Sequence, residues 1–116
     1  MNQAQIDFQQ LRIKHILFKS KVRSVLYGGK VDEEFFSRTG PIHSWLTSVG
    51  SSRYHSAAEM LELKQVQQNL DAAAQSLFSL YRSGQIEQAQ NGLAEIEALS
   101  DRFLELLSAL EGKMFV

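Results

Sequence analysis

Residues 61–81 have the sequence LELKQVQQNLDAAAQSLFSLY, and the spacing of their apolar side chains decides the fold class. Apolar residues recur every three or four positions, which is the spacing of one face of an α-helix. They are Leu63, Val66, Leu70, Ala73, Leu77 and Leu80. Ser51 and Ser52 are good N-cap residues, and Gly84 is a good C-terminal stop. We therefore predict a long helix over residues 51–83.

The chain on both sides of this stretch shows the same period. Residues 3–27, ended by Gly28, predict a first helix with the stripe Phe8, Leu11, His15, Phe18, Val22 and Val25. Residues 85–111 predict a last helix with the stripe Ile86, Ala89, Leu93, Ile96, Phe103, Leu107 and Leu110. Asp32 can begin a turn over residues 32–37. Pro41 suits the first position of a short helix that ends at Gly50 and buries Trp45 at least in part.

No segment alternates with the period of two that marks a half-buried strand. Three long helices and one short one, joined by short connections, predict an all-α fold. We expect an antiparallel up-down four-helix bundle. The 116 residues are enough for one core, so we treat residues 1–116 as a single domain.

Composition excludes several classes of protein. The net charge of −1 gives no field that would attract nucleic acid or an anionic membrane. The absence of cysteine removes disulfides, thiolate metal sites and cysteine nucleophiles, and it fits a reducing cytoplasm. No apolar run reaches the roughly 20 residues that span a bilayer, and the N-terminus has no signal-peptide pattern. We expect a cytoplasmic domain that does not insert into a membrane.

The chain offers no recognisable catalytic constellation, so we expect no enzyme activity and no cofactor. His15, within the first apolar stripe, is typical of a hydrogen-bonded core residue. His55 and Glu59 have the i, i+4 spacing of a helical metal pair, but two ligands do not make a tetrahedral site. Met60 could be paired with a histidine on haem, yet its position is also that of an ordinary core residue.

The first helix is apolar on two opposite sides. At 100° per residue, Ile6, Ile13 and Leu17 lie opposite the main stripe, together with the small Ser20 and Ser24. One interpretation is that both faces contact other helices of the same bundle. The other is that the second face forms a homodimer.

Charge divides unevenly between the two ends of the chain. Residues 1–30 carry six bases and one acid, whereas residues 85–111 carry six acids and one base. The first and last helices are therefore complementary, and they could pack side by side or across a dimer. Both could also be solvated faces, since an exposed ion pair contributes only about 0–1 kcal/mol.

Three short motifs follow one another at a familiar spacing. One residue separates His15 from Leu17. Residues 40–45 read GPIHSW, in which Ile42 supplies an apolar residue and Trp45 an aromatic one. Gln65 and Asn69 then precede a small residue at Ala72. From about residue 8 to residue 110, this pattern resembles the chemoreceptor zinc-binding domain, a helical module of bacterial chemotaxis receptors and diguanylate cyclases.

The resemblance places the four zinc ligands of that family at His15, Gly40, Gln65 and Asn69. Only His15 is a residue that binds zinc strongly, so the resemblance implies a lost metal site, with His43 as a conceivable substitute ligand. If the family fold holds, we expect His15, Gln65 and Asn69 to form a buried polar cluster instead. Burial should then lower the pKa of His15.

Together these features predict a non-catalytic sensory or regulatory domain of bacterial signal transduction. It would act through helix packing or homodimer geometry on an attached or partner output module. Ile6, Ile13 and Leu17 are the predicted dimer contact. The alternative is a helical protein–protein interaction adaptor without a sensory role.

Overall fold

Regular structure in this chain is helical, with no strand among the residues that the computed structural model describes, which are 2–114. The elements are α1 (Gln3–Leu26), α2 (Pro41–Trp45), a π-helix (Leu46–Gly50), α3 (Ser51–Arg53), α4 (Ala58–Arg82), α5 (Ile86–Asn91) and α6 (Leu93–Met114). The predicted all-α class is confirmed.

The first helix ends within one residue of its predicted limit because both of its ends are well specified. Asn2 and Gln5 form a capping box, in which each side-chain oxygen accepts a hydrogen bond from the other residue's backbone N–H at 2.8 Å. At the other end, Gly28 adopts a φ of 106°, a backbone conformation that favours glycine. The backbone N–H of Gly28 bonds to the carbonyl of Val25 and closes the last turn.

α1, α4 and α6 pack around one core. Ion pairs fix their directions: Lys19 bonds to Glu97 at 2.9 Å, while Arg12, nearer the start of α1, bonds to Glu111 near the end of α6. α1 and α6 are therefore antiparallel. Contacts of Glu62 with Arg102 and Glu59 with Lys113 show the same for α4 and α6. The largest fully buried side chains are Phe8, Phe18, Phe78 and Phe103.

The predicted start of the long central helix is wrong. α4 begins at Ala58, and Ser51 and Ser52 belong instead to the helical segment that starts at Pro41. The Ser51 hydroxyl donates to the carbonyl of Leu46 at 3.1 Å, so it does not cap a following helix. The chain bends at Tyr54 because that side chain turns into the core, where it is only 6% exposed.

The last predicted helix is also interrupted. α5 ends at Asn91 and α6 begins at Leu93, with Gly92 between them. A Cβ atom on Gly92 would lie 2.2 Å from Leu77 Cδ2, so any larger residue here would force the Leu77 side chain to move. Ile86, which was assigned to the buried stripe, is 45% exposed at the start of α5.

A buried carboxylate ties the start of α1 to the segment before α4. Asp7 accepts hydrogen bonds from Tyr54 at 2.7 Å, Arg53 at 2.7 Å and Gln3 at 2.8 Å. The indole N–H of Trp45, a residue predicted to be buried and only 3% exposed, donates to the Asp7 carbonyl at 3.0 Å. Burial alone would raise the pKa of Asp7, but these donors outweigh it and hold the pKa below its usual value.

The Tyr54 hydroxyl should contribute measurably to stability because it bonds to an ionised, buried group. We expect Tyr54→Phe to lower the free energy of unfolding by about 1.5–3 kcal/mol, measured by urea denaturation at pH 7. Tyr27→Phe is the matched control, since Tyr27 is 61% exposed, and it should change stability by less than about 0.5 kcal/mol. Equal effects of the two substitutions would contradict this role for Asp7.

Candidate functional site

His15 is buried in α1 and has no exposed surface. Its Nε2 atom is 2.7 Å from the hydroxyl oxygen of Ser100 on α6. The imidazole ring stacks on the ring of Phe103, with centroids 4.2 Å apart and an angle of 7° between planes. Its Nδ1 atom has no hydrogen-bond partner among the described residues. The expected burial of His15 is confirmed.

This environment keeps the imidazole neutral. Burial lowers the pKa of His15 from 6.5 to about 4; the charges of Lys19 and Arg12 lower it further, and the charge of Glu97 opposes them. A neutral imidazole needs one donated and one accepted hydrogen bond, and the structure supplies only the contact with Ser100. His15 is a core residue of α1, and its hydrogen bond to Ser100 and its stacking on Phe103 join α1 to α6.

The predicted polar cluster around His15 is wrong. Gln65 and Asn69 are exposed on α4, where their side chains bond to each other at 3.2 Å. Gly40 is buried but serves as the N-cap of α2. The structure thus does not bring together His15, Gly40, Gln65 and Asn69. The physical reason is helix phase: at 100° per residue, Gln65 and Asn69 point more than 90° away from the centre of the buried face of α4, which Leu63, Leu70 and Ala74 mark.

The true partner of His15 was missed, although the sequence carried a signal for it. The stripe of the last helix steps from Ile96 to Phe103, a gap of seven residues. Ser100 occupies the position between them that keeps the helical spacing, and it is fully buried. A buried serine on a stripe facing a buried histidine indicates a hydrogen-bonded pair.

The other histidines lie apart from this centre. His43 Nε2 is 2.7 Å from an Asp71 carboxylate oxygen on α4, so that nitrogen is not directed at a site shared with His15. Burial raises the pKa of Asp71, although His43 and Gln67 partly oppose this effect. His43, the conceivable substitute for a zinc ligand, is therefore paired with a carboxylate of α4.

The remaining candidate ligands do not converge. His55 is exposed, whereas Glu59 bonds to Lys113 at 2.7 Å. Met60 is fully buried in the core, where it packs near Gly50. Within residues 2–113, no three histidine, aspartate or glutamate side chains come close enough to hold a metal ion. No helix in the described part of the chain is long and apolar enough to cross a membrane.

The second face of α1 is open. Ile13 is 67% exposed, Ile16 58%, Leu17 44% and Ile6 37%. Within the described chain no helix covers these residues, so the interpretation that both faces of α1 meet helices of the same bundle is wrong. Contiguous exposed apolar patches are a feature of surfaces that contact other molecules.

The complementary charges of the first and last helices are used within the chain. Arg12 bonds to Glu111, and Lys19 bonds to Glu97, along the α1–α6 contact. Of the two arrangements considered, α1 and α6 therefore pack side by side. These exposed or half-buried pairs contribute little to stability, but they select the register of the two helices.

Stability should depend on pH through His15. Its pKa is lower in the folded chain, so its contribution is fully present above pH 6.5 and is lost as pH falls towards 4. We expect this one group to remove about 3 kcal/mol of unfolding free energy between pH 7 and pH 4.

The measurement compares urea denaturation of wild type, His15→Leu and His55→Gln across this pH range. His15→Leu should flatten the profile by about 3 kcal/mol, whatever its stability at pH 7. His55→Gln removes an exposed histidine and should keep the wild-type profile. A profile unchanged by His15→Leu would contradict the burial of a neutral imidazole.

Comparison with protein-family models, with characterised proteins and with solved structures gives no match for this chain. We therefore infer its function from the packing, exposure and charge of its own side chains.

Proposed function

We propose that this chain is a non-catalytic helical domain that forms a homodimer through the outward face of α1. The observation that carries the proposal is the concentration of exposed large apolar side chains on this one face. Four of them, Ile6, Ile13, Ile16 and Leu17, lie on α1 itself. We define them as the α1 outer patch.

Charge favours a second copy over an acidic partner. α1 is rich in bases, but Arg12, Lys19 and Lys21 already bond to Glu111, Glu97 and Asp32 of the same chain. The centre of the outer patch carries only apolar, amide and hydroxyl side chains. Two copies can therefore bring these strips together about a two-fold axis without burying a charge, the self-complementary arrangement of most homodimers. Ser20 and Ser24 would allow the two backbones to approach closely.

The proposed dimer gives the domain a way to regulate. We infer that the helices form an up-down four-helix bundle, in which residues 32–54 run back along α1. Contacts of Phe36 with Phe18 and of Trp45 with Asp7 support this path. α1 would then join the bundle core on one side to the second copy on the other, so a change in core packing would alter dimer geometry.

The wider setting that we propose is bacterial signal transduction in the cytoplasm, with an attached or partner output module. The resemblance to chemoreceptor zinc-binding domains supports it through the buried His15, Ile42 and Trp45. Because Gln65 and Asn69 are exposed, they do not form a buried site with His15 at the positions of that family's zinc ligands. The domain would therefore work without the zinc centre of that family.

The test is the mass of the protein in solution, by sedimentation or light scattering. We expect wild type to have twice the mass of one chain and Ile13→Glu to be a folded monomer, because a carboxylate would be buried at the two-fold contact. Leu61→Glu is the matched control. Leu61 is 65% exposed on α4 and Ile13 is 67% exposed on α1, so both substitutions add one acid to a similar surface.

Two results would count against the dimer: a wild-type chain that stays monomeric at high concentration, or loss of the dimer in Leu61→Glu as well. A monomeric wild type would favour the second candidate function. In that case the outer patch would bind a different protein, and the chain would be an adaptor rather than a dimeric regulator.

A further inference from the structure

A groove with a volume of about 260 Å³ lies between the second half of α1 and the start of α6. We call it the α1–α6 groove. Ser20, which is exposed on the outward side of α1 one turn after Ile16, forms part of its edge. The groove therefore continues the α1 outer patch towards α6. Its other lining residues are Lys19, Arg23, Leu93, Ala94, Ile96 and Glu97.

The outer face of α1 alone is too small for a stable dimer. A helix of 24 residues is roughly 36 Å long at about 1.5 Å per residue and about 10 Å wide, so one face covers on the order of 360 Å². Stable protein–protein contacts bury about 800 Å² on each partner. A second copy that binds the outer patch must therefore also cover a neighbouring surface, and the α1–α6 groove borders the patch directly.

Charge is distributed unevenly along α1, and this distribution favours one direction for the second copy. Residues 3–11 carry no base, and their exposed side chains on the outward side are Ile6, Gln9 and Gln10. A parallel pair of α1 helices would bring the bases of the two copies to the same level, where like charges repel. An antiparallel pair brings the base-free half of one helix against the basic half of the other. All the bases of α1 lie in that second half: Arg12, Lys14, Lys19, Lys21 and Arg23.

An antiparallel contact with full overlap also determines which residues meet. α1 spans Gln3–Leu26, and a two-fold axis at its midpoint pairs residues that lie equally far from its two ends. Gln9 of one copy then lies opposite Ser20 of the other, at the edge of the groove. Ile13 lies opposite Ile16, so the most exposed apolar side chains of the two outer patches contact each other.

We propose that the second copy binds antiparallel and that the base-free half of its α1 covers the α1–α6 groove. This inference rests on the proposed dimer, to which it adds a direction and a second contact surface. The amide of Gln9 suits the groove because it can accept a hydrogen bond from Arg23 and donate one to Glu97. Leu93 and Ala94 supply apolar surface beside these groups.

The first test is disulfide cross-linking of the full-length protein, whose native sequence contains no cysteine. Gln9→Cys and Ser20→Cys are purified separately, mixed, allowed to exchange subunits and oxidised. We expect a covalent dimer from the mixture and little from either variant alone, because only residue 9 of one copy and residue 20 of the other come within disulfide distance. Leu61→Cys mixed with Ser20→Cys is the control, since Leu61 is exposed on α4, and it should give little covalent dimer.

The second test addresses the groove itself. Ala94→Arg adds a bulky cation beside Lys19 and Arg23 on a surface that the second copy covers, and we expect it to weaken the dimer Kd at least about tenfold. Ala98→Arg is the matched control. Ala98 is also exposed, one turn further along α6, but it does not line the groove, so this variant should keep the wild-type Kd. Thermal melts check that both variants are folded.

Three results would overturn the proposal. Ser20→Cys could cross-link by itself, which indicates parallel helices; the mixture could give no more covalent dimer than the Leu61→Cys control; or folded Ala94→Arg could keep the wild-type Kd. In each case a wild-type mass of two chains would leave the proposed dimer intact. A monomeric wild type would instead contradict both the dimer and this inference.

Discussion

The buried carboxylate of Asp7 is the constraint on which the rest of the architecture depends. An ionised group with 3% exposure is tolerated only when donors surround it, and here they come from Tyr54, Arg53 and Gln3. Gln3 lies on α1 itself, whereas Arg53 and Tyr54 lie in the segment between α2 and α4. Satisfying one charge therefore fixes where the short helical segment lies against α1.

That placement has consequences along the chain. Because Tyr54 must turn inward, the helix that starts at Pro41 cannot continue into α4, and the chain bends before Ala58. The same segment includes the π-helix, whose residues face α4 across a cavity lined by Lys64 and Gln67.

α1 has one face in the core and one face exposed to solvent. Its inner face carries His15, which bonds to Ser100 and stacks on Phe103 of α6. Its outer patch is free to bind a second copy. A rigid helix with its core register fixed by a buried hydrogen bond is suited to pass changes in bundle packing to such a contact. Packed helices shift between discrete arrangements rather than deforming continuously, so small changes can be transmitted.

The helical class, most of the buried stripes and the two-sided character of α1 could be read from the sequence alone. These follow from local spacing: Phe8, Leu11 and Phe18 are buried as the period requires, and Ile13 is exposed on the opposite side. Glycines near helix ends also gave reliable limits at Gly28 and Gly84, which both adopt positive φ. The burial of His15 followed from its place within a stripe.

Only the tertiary structure decided which polar groups meet. The spacing of residues along a helix determines the face on which a side chain lies. It does not determine which residue of another helix that side chain contacts. Ser100, not Gln65 or Asn69, therefore contacts His15. The Tyr54 side chain likewise bonds to Asp7, a partner that is distant in sequence. Local periodicity carries no information about such pairs, because their energies exist only once the helices have packed.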